Sequence, residues 1–153
     1  MTATDALPRI DVHTTDIAAP PDAVWHALST TLDRSFGGPA AARYARLVGC
    51  RDHTVSGPRP LAEGSALPGF HVTTADPGRT LALQGAHRFS AYALTFRIEE
   101  GAPGRCRLHA ETRAAFPGPL GALYRTLVIT PGAHARLTRR LLAGVRGRAE
   151  RIR

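Results

Sequence analysis

Three polar residues sit where apolar ones are expected, and together they would suffice for proton-transfer chemistry. His134, placed at 100° per residue on a helical projection, falls about 20° from Leu141, near the middle of an apolar stripe. A histidine in such a setting can act as a general acid or base, because its pKa lies near neutrality and burial moves it. It also follows directly on Pro131–Gly132, so a core histidine bonded to a carbonyl freed at the proline is the second reading. Tyr92 and Thr112 each fall on the apolar side of an alternating segment, where a hydroxyl can orient the polar end of a ligand. Tyr92 and His134 facing one another across a cavity would polarise a carbonyl and shuttle a proton, as aldol-type cyclisation and dehydration require. A buried tyrosine that only satisfies its own hydroxyl is the alternative. His134 and Tyr92 are the catalytic candidates.

The remaining polar residues give weaker signals. His87 and Arg88 lie in "GAHRFS" and His71 in "PGFHV", turn positions that either border a cavity mouth or are simply solvated. His53 and Asp52 lie on an extended segment whose facing the pattern does not assign. Arg107, His109, Glu111 and Arg113 read as a charged ladder on an exposed strand face. H-E-x-x-H, Walker A, G-x-S-x-G and dinucleotide-binding motifs are missing, and His13, His26 and His109 lack metal-ligand spacing. No metal and no cofactor is expected. Cys50 and Cys106 sit outside any C-x-x-C and read as buried thiols, a bridge requiring that their strands adjoin.

The elements that must position these groups are legible in outline. "RIDVHTTDI", Arg9 to Ile17, alternates as a strand. "DIAAPPDAVWHALS" then starts a helix, with proline in its first turn and Asp22 near the positive end of the helix dipole. Val24, Trp25, Leu28 and Leu32 form its apolar stripe, where Trp25 is a packing residue. "FGGPAA" breaks it, and a short second helix runs to about Ala45. From Leu47 to Phe116 extended segments alternate with the turn signals "SGPRP", "ADPG", "QGAHR" and "EGAPG", as in successive hairpins. Tyr92, Leu94, Phe96 and Ile98 share one face. So do Cys106, Leu108, Ala110, Thr112, Ala114 and Phe116 on the next strand, leaving one face covered and one wet. After "FPGPLG" the chain is helical, interrupted at Pro131–Gly132, with Leu123, Leu127, Leu137, Leu141, Val145 and Ile152 on one stripe. Arg136, Arg139, Arg140, Arg146 and Glu150 lie near the opposite side.

With 153 residues, 43% hydrophobic and 21% charged, one soluble domain able to hold a modest cavity is expected. "MTATDALPRI" has no apolar signal core and no stretch has the length of a membrane span, so a cytoplasmic location is expected. The formal charge of +8 invites a nucleic-acid reading, but all 20 basic residues are arginine, spread along the chain and concentrated only from Arg136 to Arg153. A solvated surface accounts for them, and no nucleic-acid partner is expected.

The order strand, two short helices, antiparallel meander and closing helix resembles the START-like superfamily, also called SRPBCC. That superfamily includes the polyketide cyclase/dehydrase group and many actinobacterial members without assigned activity. The residues that carry the resemblance are "DIAAPPDAVWHAL", "PGFHV", "LALQGAHRFSAYALTFRI", "ETRAAFPG" and the closing helix, nearly the whole chain. It implies one START-like domain over 1–153, with 1–8 flexible. The implied architecture is an α+β helix-grip fold, a curved antiparallel sheet of six to seven strands wrapped around a long C-terminal helix. It also implies a largely apolar cavity between sheet and helix, walled by Tyr92, Leu94, Phe96, Leu108, Thr112, Leu127, His134, Leu137 and Leu141. The leading expectation is binding of a small hydrophobic or amphipathic molecule, lipid-like or polyketide-like, by a monomer or homodimer. An acid–base enzyme of the cyclase/dehydrase type and a protein-interaction module with a closed cavity are the alternatives.

Overall fold

Pro20 and Pro21 end one element and start the next in the computed structural model, which describes residues 7–128 and 132–152. Strand β1 (Arg9–Ile17) leads into helix α1 (Pro21–Phe36), where Pro21 occupies the first turn and Asp22 meets the helix dipole. Val24, Trp25, Leu28 and Leu32 are all buried on its inner face, and Trp25 is a core residue. Gly37–Gly38 separate α1 from α2 (Pro39–Leu47), two residues longer than expected at its C-terminus. Of the expected loose segment 1–8, residues 1–6 lie outside the described residues. The Leu7 carbonyl accepts a hydrogen bond from Arg113 and the Pro8 carbonyl one from the Ala114 N–H, each at 3.0 Å.

The chain from Val48 to Ser65 corrects the first expected hairpin. Pro58 and Pro60 have no N–H to give a ladder, and Gly57 and Gly64 hold positive φ. "SGPRP" is therefore irregular, touching the sheet by a single bridge between Ser56 and Ala66. Arg59 holds it together, binding Asp33 through Nε at 2.8 Å and the carbonyls of Ser56, Pro58 and Ala66. The later turn signals do form hairpins. They join β3 (Phe70–Asp76), β4 (Thr80–His87), β5 (Ser90–Glu100) and β6 (Cys106–Ala115), and Pro68–Gly69 joins the two-residue β2 (Ala66–Leu67) to β3. All pairs are antiparallel and the order is β1-β6-β5-β4-β3-β2, one curved sheet of six strands in a helix-grip α+β fold.

The closing helical run is two helices, α3 (Gly118–Val128) and α4 (Ala133–Ile152), with Gly132 at φ +81° between them. Pro131 and the Ile152 side chain lie outside the described residues. The single stripe projected from Leu123 to Ile152 is corrected accordingly, because a break resets the helical phase. On α4 the buried face is Thr138, Leu141, Leu142, Val145 and Ala149, while Leu123, Leu127 and Leu137 are exposed. Helix α4 packs on α1, β1 and β6. Phe96, Leu108, Ile17, Leu28 and Val145 fill the core between them.

The wet face of the sheet carries the charged ladder, with one departure. Arg107 binds Asp16 and His109 binds Glu99 in the open, but Glu111 is buried under Arg113 at 2.8 Å, Arg9 at 3.3 Å and Arg97 at 3.9 Å. Since β6 is held between β1 and β5, Glu111 ties three neighbouring strands. Glu111→Ala should lower unfolding stability by about 1–2 kcal/mol, read by urea denaturation, because it leaves three arginines crowded without their acceptor.

Candidate ligand cavity

Alternation on the strands carries the sheet's inner face past the end of α4. There Phe70 of β3, His87 of β4, Tyr92 and Leu94 of β5 and Thr112 and Ala114 of β6 point inward. Helices α2 and α3 contribute Tyr44 and Tyr124, and α4 contributes His134 and Leu137. Together these enclose a cavity of about 460 Å³. Among the described residues no carboxylate and no arginine lines it. Its polar groups are two histidines, the Cys50 thiol, the Ser90 and Thr112 hydroxyls and all three tyrosines of the chain.

Of the wall residues expected from sequence, Tyr92, Leu94, Thr112, His134 and Leu137 line this cavity. Phe96, Leu108 and Leu141 do not. They sit deeper, in the packed core beneath it, because the inner face of a strand is longer than the cavity it borders. Leu127 is exposed on α3, a consequence of the helix break.

Glycine makes the cavity floor possible. A Cβ on Gly85 would collide with the Gly69 carbonyl and the Tyr92 ring, so only glycine lets that ring lie flat across β4. Tyr92 OH donates to the Gly69 carbonyl and also meets Cys50 Sγ at 3.7 Å. Burial pushes the pKa of Tyr92 far above its ordinary value. The tyrosine is a neutral, tethered wall group, and its proton is already committed to a backbone acceptor.

His134 is placed differently. Its Nε2 lies 3.1 Å from Thr112 Oγ1 and 3.5 Å from Asp11 Oδ1, while Asp11 Oδ2 is 3.2 Å from His13 Nε2. Asp11 Oδ1 is buried and has no other polar partner among the described residues. The carboxylate favours the tautomer with the proton on Nε2 and the lone pair on Nδ1. His134 thus has side-chain partners on Nε2, while the carbonyls at 129–131 that its second reading invoked lie outside the described residues.

His87, read from sequence as a turn residue, ends β4 and lines the cavity. Its ring packs on Tyr124 at 4.9 Å, Tyr92 at 5.6 Å and Phe89 at 5.9 Å. The Phe89 N–H donates to His87 Nδ1 at 3.1 Å, which puts the ring proton on Nε2. Burial lowers its pKa from the ordinary 6.5, so the ring is neutral at neutral pH. Arg88 beside it is exposed. His71 pairs with Asp52 at 2.9 Å beside a separate depression, and His53 lies away from the cavity. Cys50 and Cys106 are both free and buried; Cys50 borders the cavity, Cys106 the core, and no bridge joins them. Among the described residues no three His, Cys, Asp or Glu side chains are grouped to hold a metal ion. Tyr44, Tyr124, Phe36 and Asp11 were missed from sequence because each reaches the site from an element far away in the chain.

A family model described as "Polyketide cyclase / dehydrase and lipid transport" matches residues 9–150. No curated protein matches the chain. Among solved structures, the ZhuI aromatase/cyclase from Streptomyces sp. R1128 aligns with a TM-score of 0.60 at 16% identity, over 94% of each chain. A truncated norcoclaurine synthase from Thalictrum flavum aligns with a TM-score of 0.56 at 12% identity, over 91% of this chain and 92% of its own. A conserved protein from Geobacillus kaustophilus gives 0.55 at 14% identity, over 92% and 94%. These identities speak for the fold.

The neutral His87 has a measurable consequence. Its folded pKa is lowered, so the unfolded chain binds the proton first, and stability present above pH 6.5 is lost as pH falls through that value. Thermal melts from pH 7.5 to 5 should show this loss, and His87→Gln should make it shallower. A slope unchanged by the substitution would place the loss elsewhere.

Proposed function

Since the chain belongs to the polyketide cyclase / dehydrase and lipid transport family, we propose that its cavity takes up a small hydrophobic or amphipathic molecule, lipid-like or polyketide-like. The observation that carries this reading is the cavity itself, about 460 Å³, aromatic-walled and, among the described residues, without a carboxylate or guanidinium at its surface. That volume lies in the range of small-molecule sites, roughly 300–1,000 Å³. Phe70, Tyr92 and Tyr124 offer ring faces and edges to a flat or unsaturated ligand, while Thr112, His134 and the Nε2–H of His87 are the groups that orient its oxygens. Leu94 and Leu137 close the apolar sides.

Native mass spectrometry of freshly purified protein should find a bound small molecule that denaturation releases. Ala114→Phe fills the cavity from β6, where the alanine is buried and borders it. This variant should weaken binding of an apolar fluorescent dye roughly tenfold or more while Tm moves by no more than about 4 °C. Dye affinity equal to that of the wild type would sink the cavity reading.

One observation favours a second reading, acid–base catalysis. Asp11 stands behind His134, and the histidine borders the cavity. In an aldol-type cyclisation His134 Nδ1 would take a proton from a carbon beside a carbonyl, and the resulting carbanion would bond to a second carbonyl carbon. The new alkoxide would regain a proton from the imidazolium, and dehydration would release water. Tyr92, whose proton is engaged by Gly69, contributes positioning to this scheme. With a linear poly-β-keto thioester as substrate, His134→Ala should abolish turnover while the Kd of the substrate stays within a few-fold. Asp11→Asn should reduce kcat by about a hundredfold. A parallel loss of binding and turnover would leave simple binding as the function.

A further inference from the structure

Seven of the chain's eight net positive charges fall in one stretch. From Thr112 to Ala149 there are seven arginines and neither aspartate nor glutamate, while the rest of the chain balances 13 arginines against 12 acids. Much of that excess faces solvent. Arg136, Arg139 and Arg140 border an open groove on the outer side of α4 and form no ion pair with a described residue. Arg125 lies exposed on α3, its guanidinium over the Phe116 ring at 5.6 Å.

The same two helices expose leucine. Leu120, Leu123 and Leu127 are 65%, 55% and 66% exposed, and their i, i+3, i+7 spacing puts them within about 60° on α3. The inward side of α3 lies about a quarter turn round the helix from this stripe. Gly121 lies so close to Phe116 that a Cβ there would come within 2.6 Å of its backbone carbon, and Tyr124 faces the cavity. The leucines lie beside this packed edge and face solvent. Leu137, which borders the cavity, is also half exposed. Leucine is ordinarily an interior residue, and an ordered outward stripe of it marks a contact surface.

We propose that α3 and the arginine face of α4 dock the protein on an anionic lipid surface, with the leucines in the headgroup–acyl boundary and the arginines on lipid phosphates. A second copy of the chain would bring its own Arg125, Arg136, Arg139 and Arg140 against these, so charge disfavours a dimer through this face. A specific protein partner would need donors and acceptors of fixed register. From Thr112 to Ala149 arginine supplies donors, but no aspartate, glutamate, asparagine or glutamine supplies a carboxylate or amide acceptor. Leucine flanked by arginine on a helix is the pattern of interfacial helices, and mobile phosphates do not require register. Leu137, half exposed at the cavity's border, sits on α4, so the docked protein would open toward the bilayer. Docking goes beyond the cavity reading and does not depend on it.

The test is sedimentation of the full chain with phosphatidylcholine vesicles, with and without one-third phosphatidylglycerol. Binding to the anionic vesicles should be at least about tenfold tighter and should fall as salt is raised. Leu123→Asp with Leu127→Asp should abolish it, and Arg136→Gln with Arg140→Gln should remove the preference for anionic lipid. Neither pair lines the cavity, so dye affinity and Tm should be retained in both. Equal binding to both vesicle types, or none, would overturn the proposal. So would a dimer in analytical ultracentrifugation that the leucine variant dissociates, or capture by a purified acidic protein in place of vesicles.

Discussion

The width of a helix against the width of a sheet decides most of this structure. Six strands at about 4.8 Å spacing span roughly 24 Å, whereas a helix with its side chains is about 10 Å across. Helix α4 therefore covers only part of the inner face, the β1–β6 side, and α1 packs on it to cover β5. The inner face at the far end, at Phe70 of β3, His87 of β4 and Tyr92 and Leu94 of β5, receives no such cover. It is closed instead by the far ends of α2, α3 and α4, at a distance that side chains cannot fill. The cavity is what one gripping helix leaves behind, and rings line it because they reach furthest per side chain.

The same geometry sorts polar groups by depth. Near the middle of α4 the sheet is close, and positions such as Leu141 and Val145 admit only hydrocarbon. One to two turns earlier α4 has moved past the packed region, and His134 finds space together with Thr112 and the β1 carboxylate Asp11. Two residues on the same β5 face show the contrast. Phe96 is wholly enclosed, while Tyr92 keeps a hydroxyl that must find Gly69 and Cys50. Position along the grip, more than residue type, separates scaffold from site.

This explains what could be read from the sequence. Strand alternation and the α1 stripe depend on neighbours two to four residues away, so β1, β5, β6 and α1 were legible with their inner faces. The resemblance supplied the grip and the existence of a cavity. Where contact came from distant elements, local pattern fell silent. Asp11 lies more than a hundred residues from His134, and nothing local ties Tyr44 to Tyr124, whose hydroxyls meet between α2 and α3. Pattern misled where one broken turn intervened. Carrying the helical phase across Pro131–Gly132 placed Leu127 in the cavity wall, whereas α3 turns it to solvent.

The cavity's size limits how it can exist. A sealed dry void costs on the order of 24 cal/mol per Å³, so about 460 Å³ would cost roughly 11 kcal/mol, as much as a whole domain's typical stability of about 5–15 kcal/mol. The fold avoids that cost by leaving the cavity in contact with solvent, past Tyr44 and Leu137, which are half exposed at its border. Water that enters meets mostly ring and methyl surface with few hydrogen-bond partners, and its displacement by apolar matter is favourable. The rim residues that let water in are therefore the ones a ligand must pass. Access and affinity arise from one feature, the uncovered part of the sheet.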